Sequence, residues 1–347
     1  MALSDDYLYH YDYNNYSYEG ILTPNEEPVF QHKATCLKEA LCVSLLVVSV
    51  LIFLLGFFGN ALVIWISGFK MKRTVNTIWY LSLAISDFVF CGFLPFSIAN
   101  MVMEEWIFGL FMCKFTSSVM FINMFSSIFL LVIISVDRFV SVVFPVWAQN
   151  HRSVKMASVT VVLAWLLAIA LSVPSMIFRD VSTHLGTTIC YNNYTLNHSH
   201  KIVVFSRLLA GFVIPFIIII VCYSIIILKL RNNRMTKSSK PFRVMTALVA
   251  AFFISWLPYH VFVLMELNHQ NYDHRILITG LKVGTSMAAA NSFLNPVLYV
   301  FMGNDFKQRL KSSLLSKMEN AMADEGRTTS RYLSRSSSMD ARASTHI

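Results

Sequence analysis

Seven apolar stretches, each about as long as a bilayer is thick, run through this chain: Ala40–Phe69, Val75–Met103, Leu110–Val136, Met156–Phe178, Ile202–Leu228, Val244–Met265 and Val283–Met302. Hydrocarbon offers no water to satisfy a backbone, so a crossing segment of roughly 20 apolar residues must be a helix bonded to itself. The expected fold is therefore all-α: a bundle of seven transmembrane helices. The polar residues between the spans form short loops. A domain spanning residues 39–303 is flanked by an acidic amino-terminal tail, residues 1–38, and by two carboxyl-terminal segments. Residues 304–318 have apolar Phe306, Leu310 and Leu314 at helical spacing among Lys and Arg, the pattern of a helix lying on membrane lipid. Residues 319–347 are Ser/Thr-rich and unpatterned.

With 56% hydrophobic and only 14% charged residues, the chain carries more apolar side chain than a soluble core of this length holds. A net charge of +9 would suit nucleic acid, but its placement points to the membrane. Fifteen Lys and Arg flank one set of loops, among them Lys70, Arg73, Arg152, Lys155 and Lys229, against seven on the other side. Cationic flanks mark the cytoplasmic face, so the amino terminus is expected outside and the carboxyl terminus inside. The opening MALSDDYLYH has neither a basic start nor an apolar core, so the first span is expected to direct insertion itself. Asn15, Asn193 and Asn197 begin Asn-X-Ser/Thr tripeptides on the outer side and are candidate glycosylation sites.

Six cysteines occur, at positions 36, 42, 91, 113, 190 and 222. Cys113, at the outer end of the third span, and Cys190, in the following outer loop, both face an oxidising compartment and are expected to pair. Cys91 and Cys222 read as small buried hydrophobes, and Cys36 and Cys42 have no obvious partners. No metal-ligand spacing, Gly-rich phosphate loop or Ser/His/Asp set is present, so an enzyme is not expected.

Polar groups inside spans are expensive and mark function. Asp87 stands alone in the second span and needs partners such as Asn60, Ser127, Asn291 or Asn295. Two readings are open: a protonated packing residue, or a hydrated pocket that holds sodium, the one cofactor envisaged. Asp137-Arg138-Phe139 closes the third span at its inner boundary. Trp256 and Pro258 lie deep in the sixth span, where Pro removes a backbone hydrogen bond and kinks the helix. Pro296 follows Asn295 in the seventh, with Tyr299 a turn further on and Tyr223 at matching depth in the fifth.

Taken together, Asn60, the LSLAISD run ending at Asp87, Cys113, Asp137-Arg138-Phe139, Trp165, Pro215, Tyr223, Trp256-Leu257-Pro258 and Asn295-Pro296-Val297-Leu298-Tyr299 resemble the rhodopsin-like G-protein-coupled receptors. The resemblance covers essentially every span. It implies Arg138 at a G-protein interface with Asp137 beside it, Trp256 as a switch at the pocket floor, and Asn295 with Tyr299 in an activation rearrangement. Phe139 departs from the usual Tyr, which keeps aromatic packing and loses a hydroxyl. No acid lies near Ser238, so an ionic lock from Arg138 to the sixth span is not expected.

The ligand class is argued from the outer half. An amine needs a carboxylate where Met120, Phe121 and Ile122 stand, and retinal needs a lysine where Ala288, Ala289 and Ala290 stand. What the outer half holds instead is Arg207 inside the fifth span, Arg179, Glu266 and Lys282 near the rim, and Ser117 in the third span. A desolvated guanidinium grips a carboxylate in two-pronged fashion, so Arg207 is a candidate for the carboxyl terminus of a peptide. The bland reading is an arginine snorkelling to headgroups. Phe121, Phe125, Phe205, Phe212, Tyr259 and Phe262 are expected to line an aromatic cleft around it. The tail DDYLYHYDYNNYSYE packs six tyrosines and four acids into fifteen positions, an acidic bait for a basic ligand. Tyr7, Tyr11, Tyr13 and Tyr18 in it are candidates for sulfation.

Within the family, PVWAQNHRSVK, IFRD, CYNNYT and NPVLYVFMGNDFK are similar to the chemoattractant receptors, most of all the chemerin-receptor (chemokine-like) group. That resemblance implies an extracellular peptide or protein ligand of chemerin type. It also implies an inhibitory-class heterotrimeric G protein, and arrestin recruited after receptor kinases modify Thr328, Thr329, Ser330, Ser334, Ser336, Ser337 and Ser338 at the plasma membrane. Formyl-peptide and anaphylatoxin receptors are the neighbouring alternatives, and a non-signalling scavenger of the same fold is another. A transporter would show internal repeats and a chain of carboxylates, neither of which is present.

Overall fold

The computed structural model describes residues 39–184, 186–194, 197–232, 240–302 and 308. Helix α1 (Ala40–Trp65) runs into a π-turn (Ile66–Lys70) and is followed by α2 (Val75–Met103), α3 (Gly109–Val143), the short α4 (Pro145–His151) and α5 (Val154–Phe178). A hairpin of β1 (Arg179–His184) and β2 (Thr187–Asn192) comes next. Then α6 (Asn197–Leu208), a π-turn (Leu209–Val213) and α7 (Ile214–Asn232) make one rod, followed by α8 (Lys240–Glu266) and α9 (His274–Met302).

Among the described residues, six of the resulting rods are long and apolar enough to span a bilayer. The seventh, α9, has the length with 29 residues, but Asn291, Ser292 and Asn295 dilute its apolar character because they face inward, buried. The rods close into a bundle, with α1 packed on α2 and α9, α8 on α9, and α3 on α5 and α7. Helix α3 is the axis: 67% of its apolar window is buried, against 17% for α1 and 22% for α5. Leu51, Leu55 and Phe58 on α1 and Leu163 and Leu166 on α5 are exposed, as suits side chains whose solvent is lipid. Met124, Phe125 and Ile128 of α3 meet Phe252 and Trp256 of α8 in the central core.

Local chemistry sets where the elements begin and bend. Thr74 starts α2 with a reciprocal capping box to Thr77. Ser153 caps α5 by accepting from the Met156 N–H at 3.2 Å. Pro95, Pro174, Pro258 and Pro296 lie inside helices. Pro215 follows the second π-turn, where the Ile214 N–H reaches back to the Leu209 carbonyl. A proline has no N–H to return to the carbonyl four residues back, and the widened turn accommodates that loss. The same turn presses Gly211 onto α3, where an added Cβ would meet Met124 at 2.8 Å.

The Cys113–Cys190 disulfide forms as expected, with a Cα–Cα distance of 5.7 Å, and ties β2 to the outer end of α3. Trp106 reinforces the tie: its backbone N–H donates to Thr188 O at 2.7 Å and its indole to Gly109 O at 2.8 Å. Gly109 turns there with φ +73°, a conformation that favours glycine. Cys91 and Cys222 are free and buried. Cys42, for which the sequence offers no obvious partner, is disulfide-bonded.

Several boundaries differ from expectation. Helix α3 continues past Asp137-Arg138 through Val143, beyond the expected end of the third span. The hairpin and α4 stand where the sequence predicts loops; both are short and lack the periodicity that reveals a span. The tail tyrosines, Asn15, Cys36, residues 304–318 other than Gln308, and the serines and threonines from Thr328 to Ser338 lie outside the described residues, as do the side chains of Asn197 and Tyr299.

Candidate functional site

Three polar constellations are threaded on α3, one in each third of the bundle. The outer one centres on Arg207, 7% exposed near the end of α6. Its Nη2 donates to Ser175 Oγ of α5 at 2.9 Å, and its guanidinium carbon lies 3.5 Å from the Phe121 ring centroid. A buried cation over an aromatic face gains about 2 kcal/mol, which helps hold the charge away from water. Nε of Arg207 is buried with no hydrogen-bond partner, an edge of the fork left open.

Around that edge stands an aromatic cage. Tyr259 lies 6.2 Å from Phe121 and 5.7 Å from Trp256, and His260 lies 5.1 Å from Phe212. Trp256 is fully buried on Phe252, two residues before Pro258. Nε2 of His260 and Nε1 of Trp256 are also buried without partners. Phe125, Phe212 and Phe262 pack inward, but Phe205 points outward at 46% exposure, so it leaves the expected cleft. It sits two residues before Arg207, on a different face of the helix.

Above Arg207, Tyr194 stacks between Phe178 at 5.1 Å and His200 at 4.5 Å. Burial pushes the Tyr194 phenol above its ordinary pKa, while nearby Arg207 and Arg179 pull it back and Glu266 adds to the rise. Four of the outer residues thus share one electrostatic neighbourhood. Arg179 opens β1, Glu266 ends α8, and Lys282 on α9 and Ser117 on α3 are half-buried. Asn193 donates its side-chain amide to Asp180 Oδ2 at 3.2 Å.

The middle constellation surrounds Asp87, 0% exposed. Asn123 Nδ2 donates to Oδ1 at 2.8 Å and Asn295 Nδ2 to Oδ2 at 2.7 Å, joining α2, α3 and α9. Asn123 also donates to Ser86 Oγ at 3.1 Å, and Ser86 pairs with Ser126 at 2.6 Å. Asn60 bridges Gly56 O and Ser292 O, each at 2.8 Å, and does not reach Asp87. Ser127 and Asn291 make no bond to Asp87, yet each stands one turn from a residue that does. Ser127 Oγ and Asn291 Oδ1 are buried and unpaired. Buried, unpaired oxygens one turn from the amides that hold a carboxylate are the kind of donor a hard cation takes, so these residue types fit sodium.

The inner constellation is built on Asp137 and Arg138. Asp137 pairs with Arg138 at 3.4 Å, and with Arg152 through two bonds of 2.7 and 3.1 Å. Arg138 and Arg152 both donate to Asn76 Oδ1 of α2, the latter at 2.7 Å. The Tyr223 hydroxyl on α7 lies near Thr246 and Ser135 without a hydrogen bond of standard geometry.

The profile of the family described as 7 transmembrane receptor (rhodopsin family) matches residues 59–299, most of the chain. The chain belongs to the rhodopsin-family receptors. It is 45% identical over 303 residues to "Chemerin-like receptor 1" of Rattus norvegicus, covering 82% of this chain and 81% of that protein. It is 44% identical to "C3a anaphylatoxin chemotactic receptor" of Danio rerio over 290 residues, covering 82% and 79%. It is 42% identical to "N-formyl peptide receptor 3" of Macaca mulatta over 291 residues, covering 78% and 83%. These are chemoattractant-type receptors, a non-enzymatic family that crosses the plasma membrane several times and works between an extracellular ligand and a G protein.

Sequence reasoning overlooked Asn123, Ser175, Asn76 and Arg152. For Asn123 a signal existed: an amide one turn before Ser127 inside a span is as costly as the polar residues that were singled out. Arg152 carried none, because it lies in a polar segment where charge is ordinary, and Asn76 stands at the very start of its span, where a polar residue is ordinary too.

Proposed function

We propose that this receptor takes the carboxyl-terminal end of a chemoattractant protein of chemerin type in its outer cavity, with the terminal carboxylate on Arg207. The observation that carries this reading is the buried guanidinium, fixed by Ser175 and Phe121 and left with an open Nε edge. A free carboxylate offers two acceptors to that fork and neutralises a charge already out of water. Phe121, Tyr259 and Trp256 supply apolar walls for the ligand's last side chains, and Arg179, Glu266, Lys282 and Ser117 line its path. The similarity to chemerin-like receptors favours that protein ligand. The nearly equal similarity to an anaphylatoxin receptor supports the runner-up.

Ligand contact favours one arrangement of Trp256 and the Pro258 and Pro296 kinks over another, and Asn295 couples that change to Asp87. Asp87, Ser127 and Asn291 would hold a sodium ion in the unliganded arrangement. At the inner face Arg138, with Tyr223 and Tyr299, receives an inhibitory-class G protein. Receptor kinases acting on the tail from Thr328 to Ser338 then recruit arrestin. This assigns the amino terminus, with Asn15, Asn193 and Asn197, to the outside and the carboxyl terminus to the cytoplasm.

The test compares chemerin's carboxyl-terminal peptide as free acid and as amide on cells carrying wild type and Arg207→Ala. The substitution should weaken the acid roughly thirtyfold, as for a hydrogen-bonded charge pair, and the amide little. Equal losses for both would remove the carboxylate assignment.

A further inference from the structure

Asp137, Arg152, Asn76 and Arg138 form a closed ring of side chains drawn from α3, the end of the α4 segment and the start of α2. The two arginines do not share it equally. Arg152 approaches Asp137 with Nε at 2.7 Å from Oδ1 and Nη2 at 3.1 Å from Oδ2, the two-pronged fit of guanidinium to carboxylate. Arg138, the adjacent residue, reaches only Oδ2 at 3.4 Å, a looser ion pair, and turns its other contact to Asn76. Nε of Arg138 is buried and makes no hydrogen bond. Arg152 takes the close contact at each oxygen of Asp137, and Arg138 keeps only the longer one at Oδ2.

We propose that Arg152 is a positioning residue for signalling: by occupying the Asp137 carboxylate it keeps the neighbouring Arg138 weakly held and ready to leave for a partner. It rests on the proposed coupling of Arg138 to a G protein. Without Arg152, both oxygens of Asp137 return to Arg138, which is one residue away and has an unused Nε. The arginine is then held harder and released less often. Asn76 sets the ring's third corner, since its one amide oxygen accepts from both guanidinium groups and holds the two like charges on a shared acceptor. The backbone supports the role. Arg152 directly precedes Ser153, whose hydroxyl caps α5, so it stands at a fixed point between two helices.

The size of the effect is bounded by exposure. The Arg152 side chain is 31% exposed and that of Asp137 only 11%, so the pair is partly screened and its loss should shift exchange roughly threefold. The experiment measures basal and chemerin-stimulated nucleotide exchange on a purified inhibitory-class G protein. Wild type is compared with Arg152→Ala and Arg152→Gln at matched surface density, alone and combined with Asp137→Asn. The Gln variant keeps a donor for Asn76 without the charge, which guards against a folding defect in the Ala variant.

Both single variants should lower basal exchange about threefold and leave chemerin affinity in the absence of G protein unchanged. In the Asp137→Asn background the same changes should have no further effect, because there is no carboxylate to release. Basal exchange that is unchanged or raised would overturn the proposal. So would an equal loss in the Asp137→Asn background, which would mean that Arg152 touches the G protein itself. Absence of exchange by wild type would sink the coupling on which the proposal rests, and both would fall; normal wild-type exchange with unaffected variants sinks this inference alone.

Discussion

Arg207 and Arg138 are both guanidinium groups sunk into a bundle of apolar helices, and the protein treats them in opposite ways. Arg207 rests on a serine hydroxyl and an aromatic face, shares its neighbourhood with Tyr194 and Glu266, and keeps its Nε edge open. Arg138 has a carboxylate beside it and an amide across from it, inside a ring that is already closed. A buried cation with an open hydrogen-bonding edge is a place for an anion from outside. A cation inside a closed ring is a latch, whose contacts must be exchanged before anything else can use it. The outer arginine is built to receive and the inner one to be released.

The most severe way to break this comparison is Arg138→Ala. Nucleotide exchange should be abolished while chemerin still binds, because the latch has lost its moving part but the outer pocket is untouched. A radioligand assay beside an exchange assay separates the two, and exchange within twofold of wild type would refute the distinction. Second in size is the thirtyfold loss at Arg207→Ala for the free-acid ligand. Arg207→Lys sharpens it: the charge stays, but the fork and the stacking on Phe121 go, so an intermediate loss of about fivefold is expected. A lysine as good as arginine would show that charge alone matters there.

How much of this was legible in the sequence follows from what lipid punishes. Hydrocarbon makes every polar residue in a span conspicuous, so Asp87, Arg207, Asn291 and Asn295 stand out one by one, and five of the expected spans agree with helices to within about five residues at both ends, whereas α3 runs on from Val136 to Val143 and α9 begins at His274 rather than Val283. Pairings between spans were not legible, since nothing in the chain says that Asn123 rather than Asn60 faces Asp87. That depends on helix rotation, set by close approaches such as Gly284 of α9 against α8, where an added Cβ would meet the Tyr259 backbone at 2.9 Å. Phe205 was misplaced for the same reason: an aromatic suits lipid and cleft equally. Outside the bilayer the signal fades altogether. Arg152 looks like any basic loop residue until α4 folds and brings it under α3.

Asp87 lies between the two arginines, and the smallest of these effects concerns it. Its carboxylate accepts from Asn123 and Asn295, so the acid in the middle of the bundle is held by amides from two other helices. Asp87→Asn keeps the shape, but its own amide would face one of those donors, leaving a buried N–H against an N–H. Such a mismatch costs about 1–3 kcal/mol, so purified receptor should melt a few degrees lower. The same change removes the negative charge that the orphaned oxygens of Ser127 and Asn291 would share with a cation. Sodium should therefore lower agonist affinity in wild type and leave it unaltered in Asp87→Asn, measured by agonist competition with sodium replaced by N-methylglucamine. A sodium effect that survives the substitution would move the cation elsewhere, and would leave Asp87 as a packing residue that joins the receiving half of the molecule to the releasing half through hydrogen bonds alone.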